Sequence, residues 1–372
     1  MATQVPNRML AFDGGNFPFK NKLINGNFDI WQRSTSYISQ NVTTPIYYPA
    51  ADRWIVYASI PENTASGTYR VTQRATDNTE LQNFQANYYQ RFQTNITTFG
   101  TTPMSDYLIN AAITPGIQNI ENAANILGKT VTVSFWARAS QNRKLLSESK
   151  IFGRYTTPTA FWTPTICKLF DITTSWQKFT HTYTMPTYNQ VIAAGYYPLS
   201  NNVSTPNYTP LGNALPPLKD WLYQVDFATM WSRGLYNAAG NHTNRPAGFP
   251  DPLSEAGYQA LLASAEATKN GGWIDIAQVQ LEEGTFATPF EQRPIGTELA
   301  LCQRYFQYFQ FQYIPNTVHA ETIFYKTSMR ANPQITWGGT FAAGFPSGIT
   351  TENFIGFSTS NSGNPLTLDA EL

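Results

Sequence analysis

Two stretches of the chain alternate apolar and polar residues with a period of two. In Lys129–Ala139, Val131, Val133, Phe135, Ala137 and Ala139 point one way, and Thr132, Ser134, Trp136 and Arg138 point the other. That is the alternation of a strand with one face buried. In Gln177–Met185, Phe179, His181, Tyr183 and Met185 share a face opposite Lys178, Thr180, Thr182 and Thr184. Pro186 closes this strand, because proline donates nothing to a ladder. Weaker strand patterns lie at Trp54–Ser59, Thr68–Gln73, Tyr88–Thr94 and Ile151–Tyr155. Trp273–Leu281 is a strand with a fault. Ile274 and Ile276 keep the period, but the next apolar residue is Val279, three positions on. One extra residue at Ala277–Gln278 restores the phase, so the spacing predicts a β-bulge there.

Helical periodicity is scarce. Leu253–Thr268 places Tyr258, Leu261, Leu262 and Ala265 on one face, with Ser254 as cap and Asn270-Gly271-Gly272 as stop. Thr297–Gln303 reads as a short helix capped by Thr297, and Ile120–Leu127 as a turn or two ended by Gly128. Gly195–Pro252 is loop-rich, with eight prolines and one aromatic segment, Trp221 to Trp231. Loops of that length are usually functional or cover a neighbour. After Pro294 the pattern changes. Tyr305 to Tyr313 carries aromatics on both faces of a strand, so it predicts a central position or burial against another subunit. Thr322–Met329, Gln334–Phe341 and Leu366–Leu372 add further strands. The expected organisation is all-β: an extended arm over 1–20, a main β domain over 21–294, and a small β unit over 295–372 that completes its core in an oligomer.

Composition sharpens this picture. The chain has 372 residues, long enough for a large core without disulfide staples. Lys plus Arg and Asp plus Glu both number 24, for a formal charge of zero. That balance argues against nucleic acid or an anionic membrane as partner, since either calls for a basic footprint. Charged residues reach only 13%, about half the usual ~25%, while aromatics reach 15%. Neutral amides and hydroxyls replace the missing charge. No apolar run approaches the ~18 residues of a membrane span, and no basic segment followed by an apolar core marks a secretory signal at the N-terminus. Cys167 and Cys302 lack CxxC spacing and His181, His242 and His319 are scattered, so the expectation is two thiols packed as small apolar groups and no metal cluster.

Candidate chemistry is correspondingly thin. Trp31 and Trp54 read as core anchors. Trp136 lies on the polar face of its strand and needs a cover or a ligand. Trp162, Trp221 and Trp231 sit in loop-rich segments and are candidate sugar platforms, because sugar C–H groups stack on an aromatic face. His181 reads as a hydrogen-bonded core histidine. Glu282 and Glu283 are adjacent on a strand and project to opposite faces, so they cannot flank one glycosidic bond at the required ~5–9.5 Å. Carboxylates from distant segments, such as Asp171, Asp226 and Glu291, remain free to meet in space. No phosphate loop, nucleophile elbow or HExxH occurs, and no cofactor is expected.

Leu23-Ile24-Asn25-Gly26-Asn27-Phe28-Asp29-Ile30-Trp31-Gln32-Arg33, followed by Ala51-Asp52-Arg53-Trp54, resembles the opening of a bacteriophage family of tail-fibre and head-fibre proteins. Their body is similar to a carbohydrate-binding-module jelly roll. The resemblance continues through Gly128–Ala139, Trp176-Gln177-Lys178-Phe179, Gln278–Gly284, Ala287–Pro294, Glu298–Phe306 and the closing Asp369-Ala370-Glu371-Leu372. It implies a virion-exposed sandwich, commonly a homotrimer, with no inherited catalytic residues, whose partners are other virion proteins and a host-surface glycan. Pro6, Met9, Leu10 and Phe12 of the arm are then the docking candidates on the particle. Tyr305, Phe306, Tyr308, Phe309, Phe311 and Tyr313 are the candidates for the oligomer interface. Asn25, Asn27 and Asp29 resemble a segment that helps hold a structural calcium in sugar-binding jelly rolls, although a full set of six to eight oxygens is not visible. The alternatives are a capsid decoration or tail adaptor with a purely structural role, and a glycan depolymerase, for which no β-helical repeat is found. Two features depart from the family: His181 stands where an apolar residue such as Val is usual, and 195–252 is long.

Overall fold

The computed structural model describes residues 19–39, 51–60, 65–77, 85–99, 112–153, 161–162, 165–194, 221–231, 253–310, 321–337, 347–356 and 365–371. The docking candidates Pro6, Met9, Leu10 and Phe12 lie outside them, as do Phe311, Tyr313 and most of 195–252.

Among the described residues, thirteen strands build two antiparallel sheets: β1 (Ser36–Ser39), β2 (Ile55–Ser59), β3 (Ala65–Ala75), β4 (Tyr88–Phe99), β5 (Ala112–Ile120), β6 (Thr130–Ala139), β7 (Arg143–Gly153), β8 (Phe161–Trp162), β9 (Ile166–Ile172), β10 (Gln177–Thr184), β11 (Trp221–Ala228), β12 (Met230–Trp231) and β13 (Trp273–Glu283). The first sheet runs β1-β3-β4-β13-β6-β10, and the second β12-β5-β11-β7-β8, with β2 on β5 and β9 on β7. From β4 to β7 each strand lies in the sheet opposite its predecessor, and β10, β11 and β13 alternate likewise. This winding makes the sandwich a jelly roll, the architecture the resemblance implied, on the all-β class that the alternation patterns predicted.

The inward positions of both sheets form one core. Val131, Val133, Phe135, Ala137 and Ala139 are fully buried, and the Phe135 ring meets Phe227 of the other sheet at 4.7 Å. The expected bulge is present. Ala277 pairs with Trp136 and Gln280 with Ser134, so three steps on β13 answer two on β6. Gln278 takes a left-handed φ of 48° to make the kink. β11 escaped the sequence reading because all eight of its residues are buried, which erases the alternation. β5 escaped because it contains Pro115 and Gly116. These fall where its register with β2 slips, between Tyr57↔Thr114 and Ile55↔Ile117, so proline's missing donor is tolerated.

Among the described residues, three helices accompany the sandwich: α1 (Tyr188–Ala194), α2 (Glu255–Ala267) and α3 (Ile295–Gln303). In α2 the Ser254 hydroxyl accepts from the Gly257 N–H at 3.1 Å, and Tyr258, Leu261, Leu262 and Ala265 are buried, as the spacing predicted. α3 starts two residues ahead of the expected Thr297, with Pro294 at its N-cap, since proline's fixed φ suits a helix entry. Ile120–Leu127 holds one 3-10 turn, Ala123–Ile126, followed by Gly128 at φ 71°.

The C-terminal strands are β14 (Phe306–Gln310), β15 (Glu321–Phe324), β16 (Gln334–Trp337), β17 (Asn353–Gly356) and β18 (Pro365–Asp369), in a β14-β18-β16 sheet and a β15-β17 pair. They have a small core of their own in Met329, Leu366, Leu368 and Ala370, against which Phe309 packs. Tyr305 and Phe306 of the aromatic run therefore need correction as oligomer-interface residues. Tyr305 and Phe306 are buried within the chain, Tyr305 beside Ile24, Ile30, Leu301 and Cys302. Each ring also carries a guanidinium from the opening motif: Arg53 at 3.5 Å from Tyr305 and Arg33 at 3.7 Å from Phe306. Gln307 between the aromatics is fully buried, its amide donating to the carbonyls of Gln303 and Thr327. Only Tyr308 of the described candidates faces outward.

Arg53 also pairs with Glu371 and donates to the Asn119 carbonyl at 2.7 Å, while Arg33 pairs with Asp369 at 3.1 Å. The terminal residues thus tie the C-terminal unit to the start of the sandwich. Glu371→Gln leaves the buried Arg53 charge with a weaker acceptor and is expected to cost roughly 1–3 kcal/mol, read as a lower denaturant midpoint. A midpoint equal to the parent's would show that this pairing adds nothing.

Candidate functional site

Pairing register fixes which side chains leave the outer face of the first sheet. Tyr69, Val71, Phe92, Ile274 and Phe135 point into the core, so the residues between them point out. One outward row runs Thr72, Arg91, Asp275 and Arg138 across β3, β4, β13 and β6. The rows on either side bring Arg70, Gln93 and Trp273, and Arg74 and Tyr89 followed by Ala277, Trp136 and Lys178. Further along, Thr130, Thr132 and Ser134 face Thr184, Thr182 and Thr180 in a hydroxyl ladder.

Asp275 sits at the centre and is fully buried. Arg91 grips it with two parallel bonds, Nε to Oδ1 at 2.7 Å and a terminal nitrogen to Oδ2 at 2.8 Å, and Arg138 Nε reaches Oδ2 at 2.9 Å. Forked, charge-assisted bonds of this kind fix direction as well as distance. Burial works against the Arg91 charge, and the Asp275 carboxylate more than offsets it, so the guanidinium's pKa is raised. Aromatic rings surround the pair. Arg91 lies 3.8 Å from the Trp273 ring, and Arg138 lies 4.7 Å from Trp176 and donates to the Tyr89 hydroxyl at 3.1 Å. Tyr89 meets Trp176 edge-on at 5.3 Å, and Trp136 packs beside them over Ala277. Trp136, Trp176 and Trp273 are all half-buried, each retaining exposed surface. The result is a rigid aromatic surface with fixed donors on a sheet, a geometry suited to stacking and hydrogen bonding a flat polar ligand.

Of the four tryptophans expected as platforms, Trp136 lies on this outer face, partly buried. Trp221 and Trp231 are corrections: Trp221 is fully buried in β11 against Tyr188, and Trp231 is buried in β12, so neither offers a ring face. Trp162 falls in β8, and its side chain lies outside the described residues. Trp54 is buried as expected, donating to the Asn25 carbonyl at 2.9 Å, and Trp31 packs at the edge of the core. Sequence reasoning missed Tyr89, Arg91, Trp176, Trp273 and Asp275. Their shared outward parity was readable strand by strand, but which strands are neighbours was not.

The other candidates are structural. His181 is buried 3.4 Å from the Ser147 hydroxyl; burial, with Lys168 adding to it, pulls its pKa down to about 3. Glu282 is buried and accepts from Thr288, whereas Glu283 turns toward Lys22 and Lys129. Asp171 pairs with Lys144 at the surface, and Glu291 accepts the backbone N–H groups of Lys20 and Asn21. Asp226 meets Glu148 across strands, but Lys150 sits 3.0 Å from Glu148 and 3.9 Å from Asp226, and all three are buried. Burial pushes both acids up. Neither Cys167 nor Cys302 is in a disulfide.

Asn25, Asn27 and Asp29 share one turn, most of whose polar atoms are engaged within the chain. The Asn25 amide is engaged by Ile30 and Asp52, and Asn27 donates to Asp29. Only Asn27 Oδ1 and Asp29 Oδ1 lack a partner in this turn, well short of the six to eight oxygens a calcium takes. Among the described residues no group of three or more His, Cys, Asp or Glu is placed to hold a metal.

No family model and no curated protein matches the chain. Solved structures resemble its fold loosely. A putative sugar binding protein from Bacteroides thetaiotaomicron is 10% identical over 71% of this chain and 100% of its own, at a TM-score of 0.32. The CBM22-2 xylan-binding domain of Paenibacillus barcinonensis Xyn10C is 9% identical over 62% and 92%, at 0.27. The enzymatically active domain of bacteriophage CBA120 tailspike protein 4 is 12% identical over 72% of this chain and 22% of its own, at 0.25. None of these likenesses assigns a ligand.

Proposed function

We propose that this chain is a non-enzymatic surface protein of a phage virion, a tail or head fibre that attaches to host-surface glycans through the outer face of its first sheet. The observation that carries the reading is the cluster of Trp136, Trp176 and Trp273 around the Arg91–Asp275–Arg138 grip, where partly buried indoles and fixed donors lie side by side on one face of the sheet. Sugar rings stack on such faces through C–H groups, and base–aromatic stacking gives the scale, about 1–3 kcal/mol per ring. The virion setting rests on the opening and closing motifs of the sequence.

The test is a glycan array with the folded protein and with the Trp136→Ala/Trp176→Ala variant. The parent is expected to bind a defined set of glycans. The variant should lose at least tenfold in affinity with an unchanged circular dichroism spectrum. Absence of binding by the folded parent would defeat the reading.

A further inference from the structure

The whole chain is electrically neutral, yet this one face is not. Arg70, Arg74, Arg91, Arg138 and Lys178 all take outward positions on it. Among the described residues at outward positions on these strands, two acids stand against them, both already engaged. Asp275 is held by the two guanidiniums, and Glu282 accepts from Thr288 and from Gln280 at 2.7 Å. Arg70, Arg74 and Lys178 are exposed. The second terminal nitrogen of Arg91 makes no hydrogen bond among the described residues, so its donors remain available beside the Trp273 ring.

We propose that the ligand of this face is a carboxylated polysaccharide, its sugar rings lying along Trp273, Trp176 and Trp136 and its carboxylates meeting the arginines between them. The proposal rests on the glycan-binding reading and names the ligand's charge. A guanidinium presents a planar fork matched to a carboxylate, and Asp275 already demonstrates that match from below the face. Two guanidiniums sharing one buried carboxylate leave a net positive charge among aromatic rings, where it is poorly screened. A neutral glycan would leave that charge unanswered. Beyond Lys178 on the same strand, Thr180, Thr182 and Thr184 are exposed and continue the face with neutral hydroxyls, which suits a long polymer better than a single sugar.

The experiment uses the full chain with polygalacturonate and with the same polymer after chemical reduction of its carboxyls, alongside neutral and carboxylated glycans on an array. Affinity for polygalacturonate is expected to exceed that for the reduced polymer at least tenfold, and to fall several-fold between 50 and 500 mM salt. The exposed triple variant Arg70→Gln/Arg74→Gln/Lys178→Gln, which leaves the Asp275 grip intact, should bind polygalacturonate at least tenfold more weakly. Equal binding of the reduced polymer, or binding to neutral glycans alone, overturns the acidic ligand while leaving the glycan reading standing. No binding to any glycan overturns both. Equal binding of duplex DNA or dextran sulfate would show a general polyanion surface and overturn the proposal, as would full affinity in the triple variant.

Discussion

Gly26→Ala is expected to destabilise the fold by on the order of 3 kcal/mol or more, at the upper end of overpacking penalties. A Cβ built on Gly26 would lie 2.1 Å from the Val279 carbonyl oxygen, a backbone atom with nowhere to go. That carbonyl belongs to the bulge of β13 and already accepts from the Asn21 amide at 3.1 Å, while the Val279 N–H donates to the Gly26 carbonyl at 2.8 Å. The opening segment is fastened on its other side as well. Gln118 exchanges two hydrogen bonds with the Ile24 backbone, each 2.7 Å, and Arg293 donates to the carbonyls of Leu23 and Asn21. A methyl at Gly26 must therefore displace either the bulge or the whole 21–30 turn. Urea unfolding measures the loss. Gly296→Ala is the control: it has open space around it inside α3 and should be neutral or stabilising by up to about 1 kcal/mol. A Gly26→Ala midpoint equal to the parent's would mean that the opening turn does not rest on the bulge.

The second large effect concerns acid. His181 is held neutral, its folded pKa lowered to about 3 from 6.5, chiefly by burial. A group with a depressed folded pKa contributes stability that is present above its unfolded value and lost as the pH falls. Between pH 6.5 and 3 the unfolded chain takes up the proton and the folded one refuses it. At 1.36 kcal/mol per pK unit the loss approaches about 5 kcal/mol by pH 3. His181→Val removes this dependence. At pH 7 the variant should lie within about 1 kcal/mol of the parent, since it gives up one long bond to Ser147. At pH 4 it should be the more stable of the two. Parallel stability curves from pH 7 to 4 would contradict a buried neutral imidazole.

Legibility followed the type of signal. Where a strand buries one face, as β6 and β10 do, period two was visible, and the phase slip from Ile276 to Val279 located the bulge. Strand β11 was hidden because its two faces are equally buried. The aromatic run at Tyr305–Tyr313 misled for a related reason: Tyr305 and Phe306 meet Arg53 and Arg33, residues more than 250 positions earlier, so burial came from this chain's own opening motif. The motif residues at 21–33 and 51–54 proved to be fasteners of the fold, joining β13, Gln118 and the C-terminal unit.

The candidate face was less legible still. Trp136 and Arg138 announced an outward surface by their position on β6, but Arg91 and Asp275 are ordinary polar residues until β4, β13 and β6 are known to be neighbours. Local alternation is written into successive residues by the geometry of a single strand, and so the sequence alone determined the all-β class, the inward faces, the bulge and the cap of α2. Strand adjacency is set by which faces bury one another across the whole sandwich. Only the tertiary structure decided that side chains up to 184 positions apart, such as Arg91 and Asp275, would share one charge, and that Trp221 and Trp231 would be core.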